Sequence, residues 1–131
     1  MKICVTSVSR DLDAQVDPRF GRCQYFMIVD SESMQFEPVP NLAVTSGSGA
    51  GIQAAQTIAS KKAQVLITGN VGPKAFQALS AAGINIITGA SGKVRAVIEK
   101  YNEGFFSETK APTVREHFGM KTSNGQDRES E

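Results

Sequence analysis

The sequence twice reads as an apolar run, a glycine-bearing turn and the start of a helix: residues 65–74 are VLITGNVGPK, and residues 84–93 are INIITGASGK. The two stretches lie about twenty residues apart. Repeated strand-turn-helix units are typical of parallel strands that are joined by right-handed crossovers. This pair of turns therefore predicts the parallel part of an α/β sheet.

The segments around the turns show the periodicity of helices. Pro73 is expected to begin a helix, because a proline at the first helical position costs no hydrogen bond, and Gly83 is expected to end it. Apolar residues at helical spacing indicate two more helices. They are Ile52, Ala55, Ile58 and Ala59 before the first turn, and Val94, Val97, Ile98 and Tyr101 after the second turn. The chain therefore alternates helices and strands from residue 50 onward.

The first forty residues read as strands without helices. Residues 2–8 and 24–30 are rich in β-branched and aromatic side chains, and a loop of about fifteen residues separates them. Residues 34–40 alternate apolar and polar side chains and contain two prolines, which suits an edge strand. Together the segments predict an α/β domain with one mixed sheet of about five strands, the first strand central, the third at an edge, and helices on its faces.

Composition limits the possible functions. A chain of 131 residues is expected to form one domain, at residues 1–106, followed by a polar and disordered tail at residues 107–131. A net charge of +1 gives no long-range field to attract nucleic acid, and no apolar stretch is long enough to span a membrane. With no signal peptide, the chain is expected to be cytoplasmic, and Cys4 and Cys23 to be free thiols.

Four motifs in sequence order resemble those of a known family. They are the opening strand, residues 16–22 (VDPRFGR) running into residues 25–30 (YFMIVD), residues 69–75 (GNVGPKA), and residues 87–94 (ITGASGKV). Over residues 1–106 the chain resembles the small dinitrogenase iron-molybdenum cofactor biosynthesis proteins. The resemblance implies a ribonuclease-H-like fold, with a five-stranded mixed sheet in the order 3-2-1-4-5 and strand 2 antiparallel.

The resemblance also implies a function. Family members that act in nitrogenase maturation bind or carry iron-sulfur or iron-molybdenum clusters or their precursors, which makes other cluster-assembly proteins the implied partners. Relatives commonly have a histidine in the glycine-rich segment before the first helix, but residues 45–51 are TSGSGAG here, and His117 is the only histidine of the sequence. His117 is the candidate substitute, although a lone histidine in a polar tail is more often solvated.

The loop before the second strand holds the most distinctive candidate residues. Arg19 and Arg22 are expected to bind an anionic ligand, such as a phosphate or a cluster sulfide, with Phe20 and Gly21 shaping the site. In the alternative interpretation, Phe20 closes the core, Gly21 meets a backbone requirement, and the arginines are solvated. Cys23 is the candidate metal ligand, since thiolate is the usual protein donor to iron clusters. A small half-buried residue at a strand start is the alternative for Cys23.

The two glycine turns are the other candidate ligand contacts. Backbone N–H groups at helix N-termini suit an anion, and the residues expected to contribute are Gly69, Asn70, Gly72, Ser91 and Gly92. A tight strand-to-helix connection also needs glycine, so the same residues have a purely structural interpretation. Neither turn matches a nucleotide-binding motif. The binding site is expected where the long loop meets both turns.

These observations, with the resemblance, favour a non-catalytic accessory protein that binds or carries an iron-sulfur or iron-molybdenum cluster or a precursor, as a monomer or a weak homodimer. The alternative is a regulatory or adaptor domain that binds an anion or a phosphate ligand without metal. A ribonuclease-H-like hydrolase is less favoured, because such nucleases place a carboxylate on the first strand, and residues 2–8 contain no acid. No motif supplies an activated nucleophile either.

Overall fold

The computed structural model describes residues 1–43 and 49–114, and this part of the chain forms one five-stranded sheet and three helices. In chain order the elements are β1 (Lys2–Ser7), β2 (Tyr25–Asp30), β3 (Phe36–Pro40), α1 (Ala50–Ser60), β4 (Val65–Ile67), α2 (Pro73–Ala81), β5 (Asn85–Ile87) and α3 (Val94–Asn102). The strand order is β3-β2-β1-β4-β5; β2 is antiparallel to both of its neighbours, and β1, β4 and β5 are parallel. The predicted strand order and the antiparallel second strand are confirmed, whereas the ribonuclease-H-like name stays a prediction.

The sheet separates two hydrophobic cores. Cys4 lies in the core that α1 and α2 cover, whereas its neighbours Ile3 and Val5 pack with α3 on the other face. This alternation follows from the strand geometry, in which successive side chains point to opposite faces. None of the helices in the described part of the chain is long and apolar enough to cross a membrane.

Helix α1 packs through part of the face that the sequence predicts, since Ala55 and Ile58 are both buried. Its buried residues include Ala54, Ala55 and Ile58, but Ile52 is exposed, so the expectation that Ile52 faces the core is wrong. The reason is a close approach to α2 at Gly51, where a Cβ atom would lie 2.9 Å from the Cβ of Ala75. The small residues of α1 therefore face the sheet and α2, and Ile52 lies off that stripe.

The two edges of the sheet differ. Strand β3 forms one edge and contains Pro38 and Pro40, which confirms the predicted edge strand. At the other edge, the N–H of Thr109 donates to the carbonyl oxygen of Ile86 in β5 (2.6 Å). Contacts with the sheet thus extend past the boundary expected at residue 106, because this polar segment pairs through its backbone. The rest of the predicted tail, residues 115–131, lies outside the described residues.

Candidate functional site

The carboxyl ends of β1, β4 and β5 meet at one edge of the sheet, and helices α1, α2 and α3 begin there. Open sheets with parallel strands bind their ligands at this edge. The long loop of residues 8–24 lies across it, with isolated bridges from Val16 to Ser7 and from Arg19 to Asn70. The predicted loop and the turn after β4 are therefore neighbours in the fold.

Two buried threonines fix this loop to the sheet. The hydroxyl of Thr6 in β1 donates to the carbonyl oxygen of Asp17 (2.6 Å), and it lies 2.7 Å from the hydroxyl of Thr68. Because the single hydroxyl proton of Thr6 goes to Asp17, Thr68 is the donor to Thr6. The N–H of Asp17 returns a bond to the carbonyl oxygen of Thr6 (2.9 Å). The ends of β1 and β4 therefore position the loop together.

Three glycines let backbone segments meet beside this anchor. A Cβ atom on Gly69 would lie 2.6 Å from the Cα of Pro18, and one on Gly21 would lie 3.0 Å from the nitrogen of Gly51. Gly51 in turn lies against Ala75 of α2. The start of α1 thus contacts both the loop and the start of α2, and the loop also contacts the turn that leads into α2. Sequence reasoning missed Gly51, and its one signal was a glycine inside the first turn of a helix.

We define the loop-helix site as residues 19–22, 50–51 and 69–75. The first turns of α1 and α2 contain no acidic residue, and their N-cap residues, Gly49 and Gly72, have no side chain that could accept a bond from the first N–H groups. Helix N-termini carry a partial positive charge that favours an anion. Lys74, exposed in the first turn of α2, adds a full positive charge.

Two arginines add further positive charge to the loop-helix site. Oδ1 of the buried Asp17 accepts the backbone N–H of Arg19 (3.0 Å) and lies 3.4 Å from its Nε. The Arg19 side chain is 41% exposed, and its terminal nitrogens have no partner among residues 1–43 and 49–114. Arg22 is half-buried two residues after Phe20. The structure thus brings the predicted arginines and the turn at residues 69–72 to one place.

The second glycine turn begins beside the loop-helix site, where the N–H of Gly89 donates to the carbonyl oxygen of Gly69 (2.9 Å), and then leads to the face of the sheet that α3 covers. The carbonyl oxygen of Gly92 accepts the N–H of Val16 (2.8 Å), and the N–H of Val94 donates to Ala14 (3.0 Å). The N–H of Arg95 donates to Leu12 (2.8 Å). The loop therefore already occupies the first N–H groups of α3. Ser91 and Gly92 are exposed, and the bonds of their segment go to residues 12–16 of the loop rather than to residues 19–22.

Phe20 and Cys23 belong to the core beneath the site. The ring of Phe20 packs 5.9 Å from that of Phe26, and the Cys23 thiol is fully buried and donates to the Phe20 carbonyl oxygen (3.3 Å). Burial, followed by the nearby charge of Asp17, raises the pKa of Cys23 far above its usual value. Burial likewise raises the pKa of Cys4, with a smaller contribution from Cys23. Both thiols are therefore held in their protonated form, which is a poor metal ligand.

The donor set of the site fits an anion better than a metal ion bound by side chains. Within residues 1–43 and 49–114, no three His, Cys, Asp or Glu side chains are grouped so that they could hold a metal. His117 and the glycine-rich residues 45–48 lie outside the described residues. What the described residues do bring together is N–H groups, guanidinium groups and an ammonium group, all of which are donors.

Comparison with known proteins gives the chain a family. A sequence profile described as dinitrogenase iron-molybdenum cofactor matches residues 1–104. The chain belongs to the dinitrogenase iron-molybdenum cofactor family. The resemblance found in the four motifs is thereby confirmed, and it covers the sheet, all three described helices and the loop-helix site.

Two solved structures are similar to the chain in sequence and in shape. The apo form of the orange protein from Desulfovibrio gigas is 44% identical, with a TM-score of 0.84, and the match covers 86% of this chain and 95% of that chain. A Thermotoga protein described as NifB-like and assigned to the DUF35 family is 36% identical, with a TM-score of 0.75 over 86% of this chain and 96% of that chain. An uncharacterized protein of Methanocaldococcus jannaschii is 29% identical over 108 residues, which are 79% of this chain and 92% of the relative.

Proposed function

We propose that this member of the dinitrogenase iron-molybdenum cofactor family is a non-catalytic accessory protein that binds an anionic metal-sulfur cluster, or a precursor of one, at the loop-helix site. The observation that carries the proposal is the meeting of two helix N-termini with the loop of residues 19–22. Family membership supports a cluster-related role. Other cluster-assembly proteins are the corresponding partners for delivery.

The site would hold its cargo through positive charge and N–H groups rather than through thiolates. Cluster sulfides carry negative charge and accept hydrogen bonds, so guanidinium and backbone N–H donors suit them. The alternative, ligation by Cys23, requires the buried thiol to lose its proton and its bond to Phe20. Arg19, Arg22 and the start of α2 from Gly72 onward are therefore the binding groups we assign, because the N–H of Asn70 already donates to Pro18. Cys23 supports them from the core.

A metal-free, anion-binding regulatory domain is the second candidate function. The same donors suit a phosphate group, and the burial of both cysteines is the observation that favours this candidate. The two candidates share one site and differ only in its occupant, so one titration can separate them.

The test is anaerobic titration of the purified protein with tetrathiomolybdate, an anionic molybdenum sulfide, and in parallel with inorganic phosphate. We expect saturable binding of the thiometalate that weakens as salt is added. Arg19→Gln and Arg22→Gln are each expected to weaken binding by about tenfold or more, because a hydrogen bond to a charged group is lost. The control is Arg95→Gln, an exposed arginine 3.2 Å from Asp13 on the other face, which should bind as the wild type does.

Two outcomes would contradict the cluster proposal. Binding of phosphate without binding of the thiometalate would favour the metal-free candidate. Equal weakening in the Arg95 and Arg22 variants would show that general charge, and not the loop-helix site, attracts the ligand. The non-catalytic part is tested separately, since metal-dependent ester hydrolysis that is lost in Asp17→Asn would show an enzyme.

A further inference from the structure

The segment at residues 105–114, which we call the C-terminal clasp, connects the two faces of the sheet around its β5 edge. Phe106 packs in the core on the α3 face. Thr109 bonds to Ile86 and Thr88 at the sheet edge, and Thr113 bonds to Val71 in the turn that leads into α2. The family match ends at residue 104, so the clasp lies just beyond it.

Two threonines of the clasp bind the chain in the same way, each through its backbone N–H and its hydroxyl. The N–H of Thr109 donates to Ile86, and its hydroxyl oxygen accepts the N–H of Thr88 (3.0 Å). The N–H of Thr113 donates to the carbonyl oxygen of Val71 (2.9 Å), and its hydroxyl oxygen accepts the N–H of Val71 (2.9 Å). Each threonine thus bonds to the backbone of one of the two strand-turn-helix units, as a residue of a neighbouring strand would.

The bond from Val71 is the one that bears on the loop-helix site. Val71 lies between Asn70 and Gly72, and its side chain is buried in the core under α1 and α2. Thr113 satisfies both the N–H and the carbonyl group of Val71, so the peptide planes on either side of this residue are fixed. The N–H groups of Asn70 and Val71 are themselves bonded, to Pro18 and Thr113, so the planes around Val71 set the direction of the next N–H group, at Gly72, and of the start of α2.

We propose that Thr113 is a positioning residue of the loop-helix site: it clasps Val71 and so holds the turn at residues 69–72 in the conformation that meets the anionic ligand. The inference rests on the proposed function, because it assigns Thr113 a role in the same binding event. Thr113 itself does not contact the ligand. Its removal is expected to weaken binding without changing the charge of the site.

The experiment uses the full chain with Thr113→Val, which keeps the shape of the side chain and removes the hydroxyl, and Thr113→Ser, which keeps the hydroxyl. Tetrathiomolybdate binding is expected to weaken by about threefold to tenfold in the valine variant, as one net hydrogen bond predicts, and to return in the serine variant. The control is Thr57→Val, whose hydroxyl bonds within α1 to Gln53 (3.1 Å). This control should bind as the wild type does.

Amide hydrogen exchange gives a second readout that needs no ligand. Thr113→Val should speed exchange at Val71 by about threefold to tenfold and leave Thr88 unchanged, whereas Thr109→Val should do the reverse. A wild type that binds the thiometalate and a Thr113→Val variant that binds it equally well would overturn the role of the clasp alone. A wild type that binds no thiometalate would overturn the proposed function, and the positioning role with it.

Discussion

Gly69 and Gly89 occupy matching positions in the two repeated turns, yet each is a glycine for a different reason. Gly89 has a φ of +81° and open space where a Cβ would lie. Gly69 is not among the glycines with positive φ, and the backbone of Pro18 fills the space beside it. Gly89 therefore meets a conformational requirement, and Gly69 allows a close contact between the loop and the sheet edge.

Alanine substitutions at these two glycines should differ in cost. Gly69→Ala is expected to lower the free energy of unfolding by about 2–3 kcal/mol, because the added methyl group displaces the backbone at Pro18. Gly89→Ala should cost about 1 kcal/mol, since only the left-handed conformation is disfavoured. Urea denaturation measures both. Equal costs for the two variants would contradict the close contact at Gly69.

The buried thiols should make the protein less stable in alkaline solution. The pKa values of Cys4 and Cys23 are raised in the folded chain, so the unfolded chain loses these protons first as the pH increases. The free energy of unfolding that the protonated thiols contribute is therefore fully present below the ordinary thiol pKa of about 8.5. Above that pH it falls by about 1.4 kcal/mol per pH unit for each thiol.

The matching experiment is urea denaturation at about pH 7 and about pH 10 under reducing conditions, on the wild type and on Cys23→Ala. Tyrosines and lysines also titrate in this range, and the variant removes only the contribution of Cys23. A shallower loss of stability in Cys23→Ala is the expected result. Identical slopes would show that the Cys23 thiol ionises normally in the folded protein.

Residue patterns indicated the charged part of the candidate site but not its backbone contacts. Arg19 and Arg22 could be found because two arginines around a Phe-Gly pair are distinctive. Gly51 could not be assigned to the site, because its importance arises from contacts with Gly21 and Ala75, which are distant in sequence. Cys23 could be named as a thiol, but its burial depends on how Phe20 and Asn41 close over it.

Among the elements, the two glycine turns show the limit of a sequence repeat. Helix α2 joins two adjacent parallel strands, and the right-handed crossover rule therefore fixes the face on which it packs. Helix α3 is followed by no strand among the described residues, so the rule does not fix its face, and it covers the side that α1 and α2 leave open. Similar turns thus lead to opposite faces, and it is the turn after β4 that pairs with Arg19, through Asn70.

The threonine pair that joins β1, β4 and the long loop should matter for both stability and binding. Thr6→Val leaves the carbonyl oxygen of Asp17 and the hydroxyl of Thr68 buried without their partner, which should cost about 1–3 kcal/mol of unfolding free energy. Thiometalate binding should weaken as well, because the loop that carries Arg19 loses its anchor.

The control for this prediction is Thr6→Ser, which keeps the hydroxyl and should retain most of the binding. Urea denaturation and the thiometalate titration together check the result. A valine variant that is destabilised but binds as the wild type does would show that the anchor supports the fold and not the site.

For the chain as a unit, the sheet could be predicted almost completely from sequence. The spacing of apolar residues and the glycine turns indicated the parallel strands, and the prolines indicated the edge strand. The family motifs implied the strand order that the structure has. The covering of the β5 edge could not be predicted, because residues 107–114 pair through backbone and hydroxyl groups and show no apolar period. Sites made by such contacts leave little trace in a single sequence.

In the proposed function, arginines and N–H groups, and not the Cys23 thiolate, bind the cluster. The decisive measurement is the molybdenum, iron and sulfide bound per chain after anaerobic reconstitution, compared between Cys23→Ala and the double variant Arg19→Gln/Arg22→Gln. If positive charge and N–H groups hold the cluster, Cys23→Ala retains the wild-type content and the double arginine variant loses most of it. Loss of the cluster in Cys23→Ala, with wild-type content in the arginine variant, would contradict binding without thiolate ligands.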